Sequence, residues 1–243
     1  MKKSTFLVLE NERIADRTFR MTLSGDTNAI TLPGQFVNFA LEGRFLRRPI
    51  SVCDWTVGLL TVIYKVVGEG TAQMSEMKPG TELDTLSGLG NGYDLNTAGD
   101  HPLLIGGGAG VPPLYGLARQ LLRQGIRPSV ILGFNTASEV FWEREFRALD
   151  IPVTVMTADG SYGQKGFVTD AMPRSGYSYL YTCGPEPMLK AVYERSVTGG
   201  QFSFESRMGC GFGACMGCTC ETKYGHKRIC REGPVLEKEE IVW

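Results

Sequence analysis

Five of the seven cysteines in the chain fall between Cys210 and Cys230. Four of them follow the spacing Cys210-x4-Cys215-x2-Cys218, and eleven residues separate Cys218 from Cys230. A C-x4-C-x2-C…C pattern is typical of 2Fe–2S clusters, in which three thiolates come from one tight loop and the fourth from a separate segment. Glycines alternate with these cysteines and allow backbone N–H groups to turn towards sulfur. The spacing therefore predicts a 2Fe–2S cluster with these four cysteines as ligands.

The remaining cysteine of this group, Cys220, would break the spacing if it were a ligand, so we expect it to be a free thiol. Zinc is the alternative metal, because structural zinc sites also take four thiolates. Zinc ribbons use two C-x2-C pairs separated by a longer stretch, whereas here a C-x4-C and a C-x2-C share Cys215. The spacing favours iron–sulfur over zinc.

Two short motifs in the first half of the chain suggest a flavin site. Arg48-Pro49-Ile50-Ser51 resembles a motif of the ferredoxin reductase family, in which the arginine meets the flavin pyrophosphate and the hydroxyl approaches N5. Gly70 and Thr71 begin a predicted short helix, with Thr71 as its N-cap and Gly70 leaving room for phosphate. Ile63-Tyr64-Lys65 lies on the preceding strand, where it could flank the adenine or the ribityl chain. Together these residues predict bound FAD.

Two segments of the second half suggest a nicotinamide nucleotide site. Gly106-Gly107-Gly108-Ala109-Gly110 follows a predicted strand and opens a helix, a context that suits phosphate binding. Cys183-Gly184-Pro185 ends a later strand and resembles the ferredoxin reductase segment that lines the nicotinamide. Ligands of α/β sheets bind at such strand ends. The predicted binding residues are Gly107, Gly108, Gly110, Cys183, Gly184 and Pro185. The stretch 133–139 has one acid and no Lys or Arg, which favours NAD over NADP.

Three regions must position these motifs. Residues 1–100 contain short β-branched and aromatic runs between turns, which predicts an antiparallel FAD-binding β-barrel. Residues 101–200 alternate strands with helices, which predicts a parallel-sheet nucleotide-binding α/β domain. Residues 201–243 form a short 2Fe–2S segment with a charged end, Glu237-Lys238-Glu239-Glu240, that we expect to be solvated surface. The expected strands are Phe6–Leu9, Arg17–Leu23, Gln35–Ala40, Leu59–Val67, His101–Ile105, Ser129–Phe134, Pro152–Thr157 and Tyr177–Thr182. The expected longer helices start near Pro112 and cover Glu139–Leu149 and Pro185–Arg195.

Composition excludes several classes of function. The 25 Lys and Arg residues balance 26 Asp and Glu, with a net charge of −1, which argues against a nucleic-acid binder. No apolar run approaches a membrane span or a signal-peptide core. We therefore expect a cytoplasmic protein with reduced thiols. The only histidines, His101 and His226, lie in no catalytic constellation, so we expect no catalytic acid or base.

The three motif groups occur in the order found in the electron-transfer subunits of NAD-linked, B-type dihydroorotate dehydrogenases. The chain resembles this family at Arg48-Pro49-Ile50-Ser51, Gly90-Asn91-Gly92, Asp159-Gly160-Ser161-Tyr162-Gly163, Lys165-Gly166 and the stretch from Glu205 to Cys215. The resemblance implies an FMN-bearing catalytic partner that oxidises dihydroorotate in pyrimidine biosynthesis. Electrons would pass from that FMN through the 2Fe–2S cluster and FAD to NAD⁺, in a heterotetramer with two of each subunit.

Two other functions remain open from the residues. The first is a stand-alone NAD(P)H-dependent flavin and iron–sulfur reductase that serves another acceptor. The second is a zinc-stabilised, nucleotide-binding regulatory module without turnover. The colour of the purified protein separates the second from the redox functions, and the identity of the partner separates the two redox functions.

Overall fold

A computed structural model describes residues 1–243. The first region is a closed antiparallel barrel with the strand order β1-β2-β5-β4-β3-β6. One short helix, α1 (Glu69–Ser75), lies between its last two strands. The strands are β1 (Lys2–Ala15), β2 (Thr18–Ser24), β3 (Phe36–Phe39), β4 (Arg48–Thr56), β5 (Leu59–Lys65) and β6 (Glu82–Leu89). The predicted antiparallel β-barrel is confirmed.

The first strand is longer than the apolar run Phe6–Leu9 that predicted it. Phe6 and Val8 are buried while Leu7 and Leu9 are exposed, as expected for a strand with one face in the barrel. The strand extends to both sides because Lys2–Leu7 pairs with β6 and Leu7–Ala15 pairs with β2. Backbone pairing thus continues into polar segments, where no alternation of apolar residues predicts a strand.

The start of α1 corrects one prediction. Gly68 is the N-cap, and Thr71 is the third helical residue. The Thr71 hydroxyl accepts hydrogen bonds from the N–H groups of Val67 at 2.9 Å and Gly68 at 3.2 Å. Thr71 therefore does stabilise this helix end, but it reaches backwards from inside the helix, as the second residue of a capping box does.

The second region is built on a seven-stranded sheet with the order β10-β9-β8-β7-β11-β12-β15. All neighbouring strands are parallel except β12 and β15. These strands are β7 (Leu103–Gly107), β8 (Ser129–Phe134), β9 (Val153–Thr157), β10 (Gln164–Lys165), β11 (Leu180–Cys183), β12 (Gly200–Ser203) and β15 (Val235–Glu237). The helices are α2 (Val111–Arg123), α3 (Glu143–Arg147) and α4 (Glu186–Arg195). The parallel-sheet prediction is confirmed.

Two helices differ in how well their sequence predicted them. In α2 the apolar residues at offsets 0, 3, 4 and 7, a spacing that predicts one helical face, form a buried stripe: Leu114, Leu117, Ala118 and Leu121. The helix expected over Glu139–Leu149 is much shorter, because Trp142 adopts a left-handed φ of 63° that interrupts the helical path. A 3-10 turn therefore precedes α3 instead of a continuous helix.

The third region is partly integrated into the sheet. Its first strand, β12, and its last, β15, lie side by side there, while β13 (Thr219–Thr222) and β14 (Gly225–Arg228) form a separate hairpin. The expectation that the charged end is solvated surface is wrong for Glu240, which is 6% exposed and forms an ion pair with Lys227. A 3-10 turn over Lys238–Glu240 places this carboxylate so that it also accepts a hydrogen bond from the N–H of Glu237.

Two apolar clusters join the barrel to the sheet, and a third fills the barrel. Cys53 and Ile63 of the barrel pack with residues of α2, and the carbonyl of Cys53 lies against Gly116. Two ion pairs cross the same boundary, Arg119 with Asp54 and Lys65 with Glu139. This packing brings β4 and β5 of the closed barrel close to Ala109, just after β7, and to Cys183 at the end of β11. None of the helices has the length and apolarity needed to cross a membrane.

Candidate redox site

A cleft of about 340 Å³ lies between the barrel and the carboxyl end of β11. Strands β4 and β5 form its barrel wall because they pair side by side through Val52 and Val62. The cleft contains every residue predicted to bind flavin except Gly70, together with Cys183 from the predicted nucleotide site. The shared lining residues are Arg48, Pro49, Ile50, Ser51, Ile63, Tyr64, Lys65, Thr71 and Cys183.

Gly70 borders this cleft through its contact with Arg48. A Cβ at Gly70 would lie 2.0 Å from Nε of Arg48, so no other residue fits without moving the guanidinium. Nη1 of Arg48 also donates a hydrogen bond to the backbone carbonyl of Leu46 at 2.5 Å, which restrains the guanidinium. A fixed, always charged guanidinium at the rim of a cleft is suited to a pyrophosphate.

The opposite wall of the cleft carries two titratable groups. Cys183 is buried, and desolvation, with a smaller contribution from the charge of Glu205, raises the pKa of its thiol to about 12. Glu205 opens onto the cleft, and desolvation raises the pKa of its carboxyl. The thiol is therefore neutral at physiological pH and offers a small, uncharged surface beside the flavin-motif residues.

Sequence motifs alone missed part of this cleft. Glu205 and Met208 lie in the stretch that carried the family resemblance, but no local pattern assigned them a position. Phe36 on β3 and Pro234 before β15 come from distant parts of the chain. The additional lining residues are Phe36, Val67, Ala109, Ser203, Phe204, Glu205, Ser206, Met208 and Pro234.

The six residues predicted to bind the nicotinamide nucleotide come together at two adjacent strand ends. Strands β7 and β11 are parallel neighbours, with Gly106 paired to Cys183. The loops that follow them touch: a Cβ at Gly110 would lie 2.1 Å from the carbonyl oxygen of Cys183, and one at Gly107 would lie 3.3 Å from Cδ of Pro185. Gly108 begins the 3-10 turn between β7 and α2, and Gly184 packs against Gly107.

The residue that argued for NAD is engaged in an ion pair. Glu139 accepts a hydrogen bond from Nζ of Lys65 at 2.7 Å and one from the Asn135 side chain at 2.8 Å. Desolvation acts to raise the pKa of Glu139, but the bonds from Lys65 and Asn135 outweigh it and lower the pKa. The end of β8 thus presents a carboxylate whose charge is compensated from the barrel, and NAD selectivity stays a prediction.

The four cysteines predicted as cluster ligands lie in two pairs. The N–H of Cys215 points at the sulfur of Cys210, and the N–H of Cys230 points at the sulfur of Cys218, both at 3.4 Å. Two thiol pairs suit the two irons of a 2Fe–2S cluster, whereas zinc gathers four thiolates around one ion.

Backbone N–H groups surround the sulfurs of the first pair. Partial burial of Cys210 acts to raise the pKa of its thiol, but N–H groups of Phe212, Cys215 and Ala214 lower it to about 6. Thiolate is the form that binds iron, and such N–H groups also stabilise a reduced cluster. Desolvation raises the pKa of the Cys220 thiol on β13 and also that of the predicted ligand Cys230, so the N–H groups around Cys210 and Cys215, and not the pKa shifts, are what matches a cluster. The donor chemistry of the loop therefore fits an iron–sulfur cluster.

Comparison with known proteins identifies the family. Residues 205–242 match the model of the iron–sulfur cluster binding domain of dihydroorotate dehydrogenase B, and residues 104–194 match the oxidoreductase NAD-binding domain. The dihydroorotate dehydrogenase B (NAD(+)) electron transfer subunit of Fusobacterium nucleatum is 44% identical, over 99% of both chains. The chain belongs to this family of electron transfer subunits. The member from Geobacillus thermodenitrificans is 43% identical, over 97% of this chain and 96% of its own.

A solved structure supports the same assignment for the fold. A chain of the NADH-dependent reduced ferredoxin-NADP oxidoreductase, described in work on flavin-based electron bifurcation, has a TM-score of 0.89 and 28% identity. The match covers 99% of this chain and 90% of that one. The predicted family, fold class and cofactors are thereby confirmed: the chain is an oxidoreductase subunit that uses FAD, a 2Fe–2S cluster and NAD.

Proposed function

We propose that the chain carries electrons between an FMN-bearing dihydroorotate dehydrogenase catalytic subunit and NAD⁺, in the cytoplasm and as part of pyrimidine biosynthesis. The observation that carries the proposal is the adjacency of three sites in one chain. The flavin-motif cleft shares Cys183 with the nucleotide loops and Met208 with the segment that leads into the cluster loop. This arrangement provides a continuous route from the cluster loop to the nicotinamide.

Each group of residues has a distinct part in this proposal. Cys210, Cys215, Cys218 and Cys230 hold the cluster, which supplies one-electron transfer when it is bound. Arg48 and Ser51 both line the cleft on β4, where Arg48 would hold the flavin pyrophosphate and Ser51 would approach the flavin ring. When bound, FAD would supply the conversion between one-electron transfer and hydride transfer.

At the nucleotide site the chain binds and orients NAD, and the proposed hydride transfer needs no catalytic acid or base from it. Gly107, Gly108 and Gly110 leave the turn after β7 without side chains, so that the nucleotide phosphates approach its backbone. Cys183, Gly184 and Pro185 form the platform for the nicotinamide, and the neutral thiol of Cys183 adds no charge there. His101 and His226 are both exposed and outside these sites.

The partner meets the chain at the cluster loop in this proposal. Phe212 and Met216 stand on that loop with 41% and 54% of their surface exposed, and the sulfur-bearing Cys215 is exposed beside them. Exposed large apolar side chains next to a redox centre are suited to a protein interface. A heterotetramer with two copies of each subunit is the assembly we propose.

The isolated subunit tests this division of labour. We expect the purified chain to contain FAD, iron and sulfide and to reduce an artificial dye with NADH, but to leave dihydroorotate unchanged. Addition of a catalytic subunit of this family should then restore dihydroorotate-dependent NADH formation. Dihydroorotate turnover by the isolated chain would contradict the proposal. Efficient reduction of another protein acceptor, with no response to the catalytic subunit, would instead favour the stand-alone reductase.

A further inference from the structure

One buried amide joins the flavin barrel to the cluster loop. Asn38 lies on β3 and is fully buried, and its Nδ2 donates a hydrogen bond to the carbonyl of Cys210 at 3.2 Å. The two residues are 172 positions apart in the chain. Among the hydrogen bonds of the loop Gly209–Cys218, this is the only one that reaches the barrel.

The strand explains why this side chain points at the loop. Alternate residues of a strand face opposite sides, and Val37 and Phe39 occupy the barrel core. Phe36 and Asn38 therefore face outwards, where Phe36 lines the flavin cleft. Asn38 also pairs directly with Pro49 of the flavin motif on the neighbouring strand. Asn38 thus lies between the flavin cleft and the cluster loop, on the strand next to Pro49, which lines the cleft.

The loop is shaped to accept this contact. Gly211, next to the bonded carbonyl of Cys210, has a φ of +78°, and a Cβ there would lie 2.3 Å from Nδ2 of Asn38. Glycine adopts this conformation at no steric cost, and only glycine leaves the space that the amide needs. The close approach therefore depends on Asn38 of the barrel and on Gly211 of the cluster loop.

Stability of the barrel does not account for the asparagine. Its second polar atom, Oδ1, is buried without a hydrogen-bond partner. An unsatisfied buried acceptor costs free energy that an apolar residue of similar size would avoid. A buried polar group kept at such a cost points to a role outside the fold.

We propose that Asn38 is a positioning residue that fixes the cluster loop to the flavin side of the barrel through its bond to Cys210. By fixing this loop it sets the separation of the two cofactors. The inference rests on the proposed ligand set, because Cys210 must be a ligand for the bond to act on the cluster.

Two substitutions separate the bond from the shape of the side chain. Asn38→Asp has the same size, and its ionised carboxylate presents only acceptors to the carbonyl of Cys210, whereas Asn38→Leu removes both polar atoms. In both variants we expect loss of iron to a chelator to become about tenfold faster, as for other residues that support metal ligands. We also expect a changed electron paramagnetic resonance spectrum of the dithionite-reduced cluster, with FAD content unchanged.

A matched control comes from the same barrel. The buried hydroxyl of Thr27 donates to the carbonyl of Thr56 at 2.8 Å and accepts from the N–H of Gly58 at 3.1 Å, so Thr27→Val removes two side-chain bonds to the backbone, one of them to a carbonyl. We expect this variant to keep the parent rate of iron loss and the parent spectrum. The control shows whether any lost bond in the barrel loosens the cluster.

Several outcomes would overturn the proposal. Parent-like iron loss and spectra in both Asn38 variants would show that the bond does not position the loop. Loss of FAD or of folding in both variants would assign Asn38 to the barrel alone. A parent chain without iron and sulfide would overturn both this inference and the proposed function, whereas a cluster that survives Cys210→Ala would refute the ligand set first.

Discussion

The flavin cleft and the cluster loop are built in opposite ways. The cleft takes its walls from paired strands of the barrel, from the ends of β7 and β11, and from the segment that follows β12. The loop Gly209–Cys218 contains no strand or helix, and one hydrogen bond ties it to the barrel. The cleft is therefore formed by the fold itself, while the shape of the loop depends on what its sulfurs bind.

This difference assigns separate tasks to the two regions. A cofactor on a rigid scaffold keeps a constant geometry with the nucleotide, which hydride transfer needs. A loop with exposed Phe212 and Met216 can adapt to a partner surface. Removal of the cluster should accordingly change the loop and leave the cleft intact, and the following predictions test that separation.

The largest effect is expected at the cluster ligands. Cys218→Ala removes one thiolate of the second pair, so we expect loss of the cluster, while FAD content and NADH-dependent dye reduction by flavin persist. Cys220→Ala is the matched control from the same segment and should keep iron and sulfide at the parent level. An equal fall of iron and sulfide in both variants would contradict the ligand assignment.

A smaller effect is expected when the flavin cleft loses its arginine. Arg48→Ala removes a charge-assisted bond to pyrophosphate of about 2 kcal/mol, which weakens FAD binding more than tenfold. Gly70→Ala should act in the same direction because its Cβ displaces Arg48. Arg44→Ala removes an arginine that instead pairs with Glu69 and serves as the control. Equal FAD dissociation constants for Arg48→Ala and Arg44→Ala would contradict the role of Arg48.

The contact between the two nucleotide loops gives a third prediction. Gly110→Ala places a Cβ against the carbonyl of Cys183, which must shift the turn after β7. We expect the KM for NADH in dye reduction to rise about tenfold, since small misplacements at a binding site are costly. Iron, sulfide and FAD contents should match the parent. An unchanged KM would remove this turn from the NADH site.

The smallest effect concerns the ion pair between the barrel and the sheet. Glu139 has a lowered pKa in the folded chain, so its pair with Lys65 stabilises the fold above the ordinary pKa of a glutamate. That stabilisation is lost as pH falls through the lowered value. At pH 7 we expect Glu139→Gln to cost at most about 1 kcal/mol, because the pair is partly exposed.

Unfolding measured at two pH values checks the sign of this effect. The difference between Glu139→Gln and the parent should shrink as pH falls from about 7 to below about 4.3, the ordinary pKa of a glutamate, because the unfolded parent chain then gains the proton first. Asp150→Asn breaks the far more exposed pair with Arg127 and should change little at either pH. A constant difference, or a more stable Glu139→Gln variant, would contradict the stabilising pair.

Local patterns predicted the parts of this molecule that depend on neighbouring residues. The apolar stripe of α2 is a property of one helix, and the spacing of Cys210, Cys215 and Cys218 is a property of one loop. The meeting of the Gly107 and Cys183 loops also followed from sequence, since the carboxyl ends of parallel strands share one edge of a sheet.

Contacts between distant segments could not be predicted in this way. The bond from Asn38 to Cys210 spans 172 positions, and nothing in the sequence around Asn38 distinguishes it from a solvent-facing strand residue. The burial of Glu240 likewise depends on Lys227 from another element. The sequence predicted Thr71 as the N-cap, whereas it is the third helical residue. A threonine at either position gives the same local sequence pattern, because in both cases its hydroxyl bonds backbone N–H groups at the helix start.

Dihydroorotate-dependent NADH formation by the reconstituted complex tests the central claim most directly. The chain would be combined with an FMN-bearing catalytic subunit, once as the parent and once as Cys218→Ala. We predict NADH formation with the parent and none with the cluster-free variant, although that variant still reduces dye with NADH. Equal NADH formation by the two complexes would show that electrons bypass the cluster, and this would contradict the proposed route.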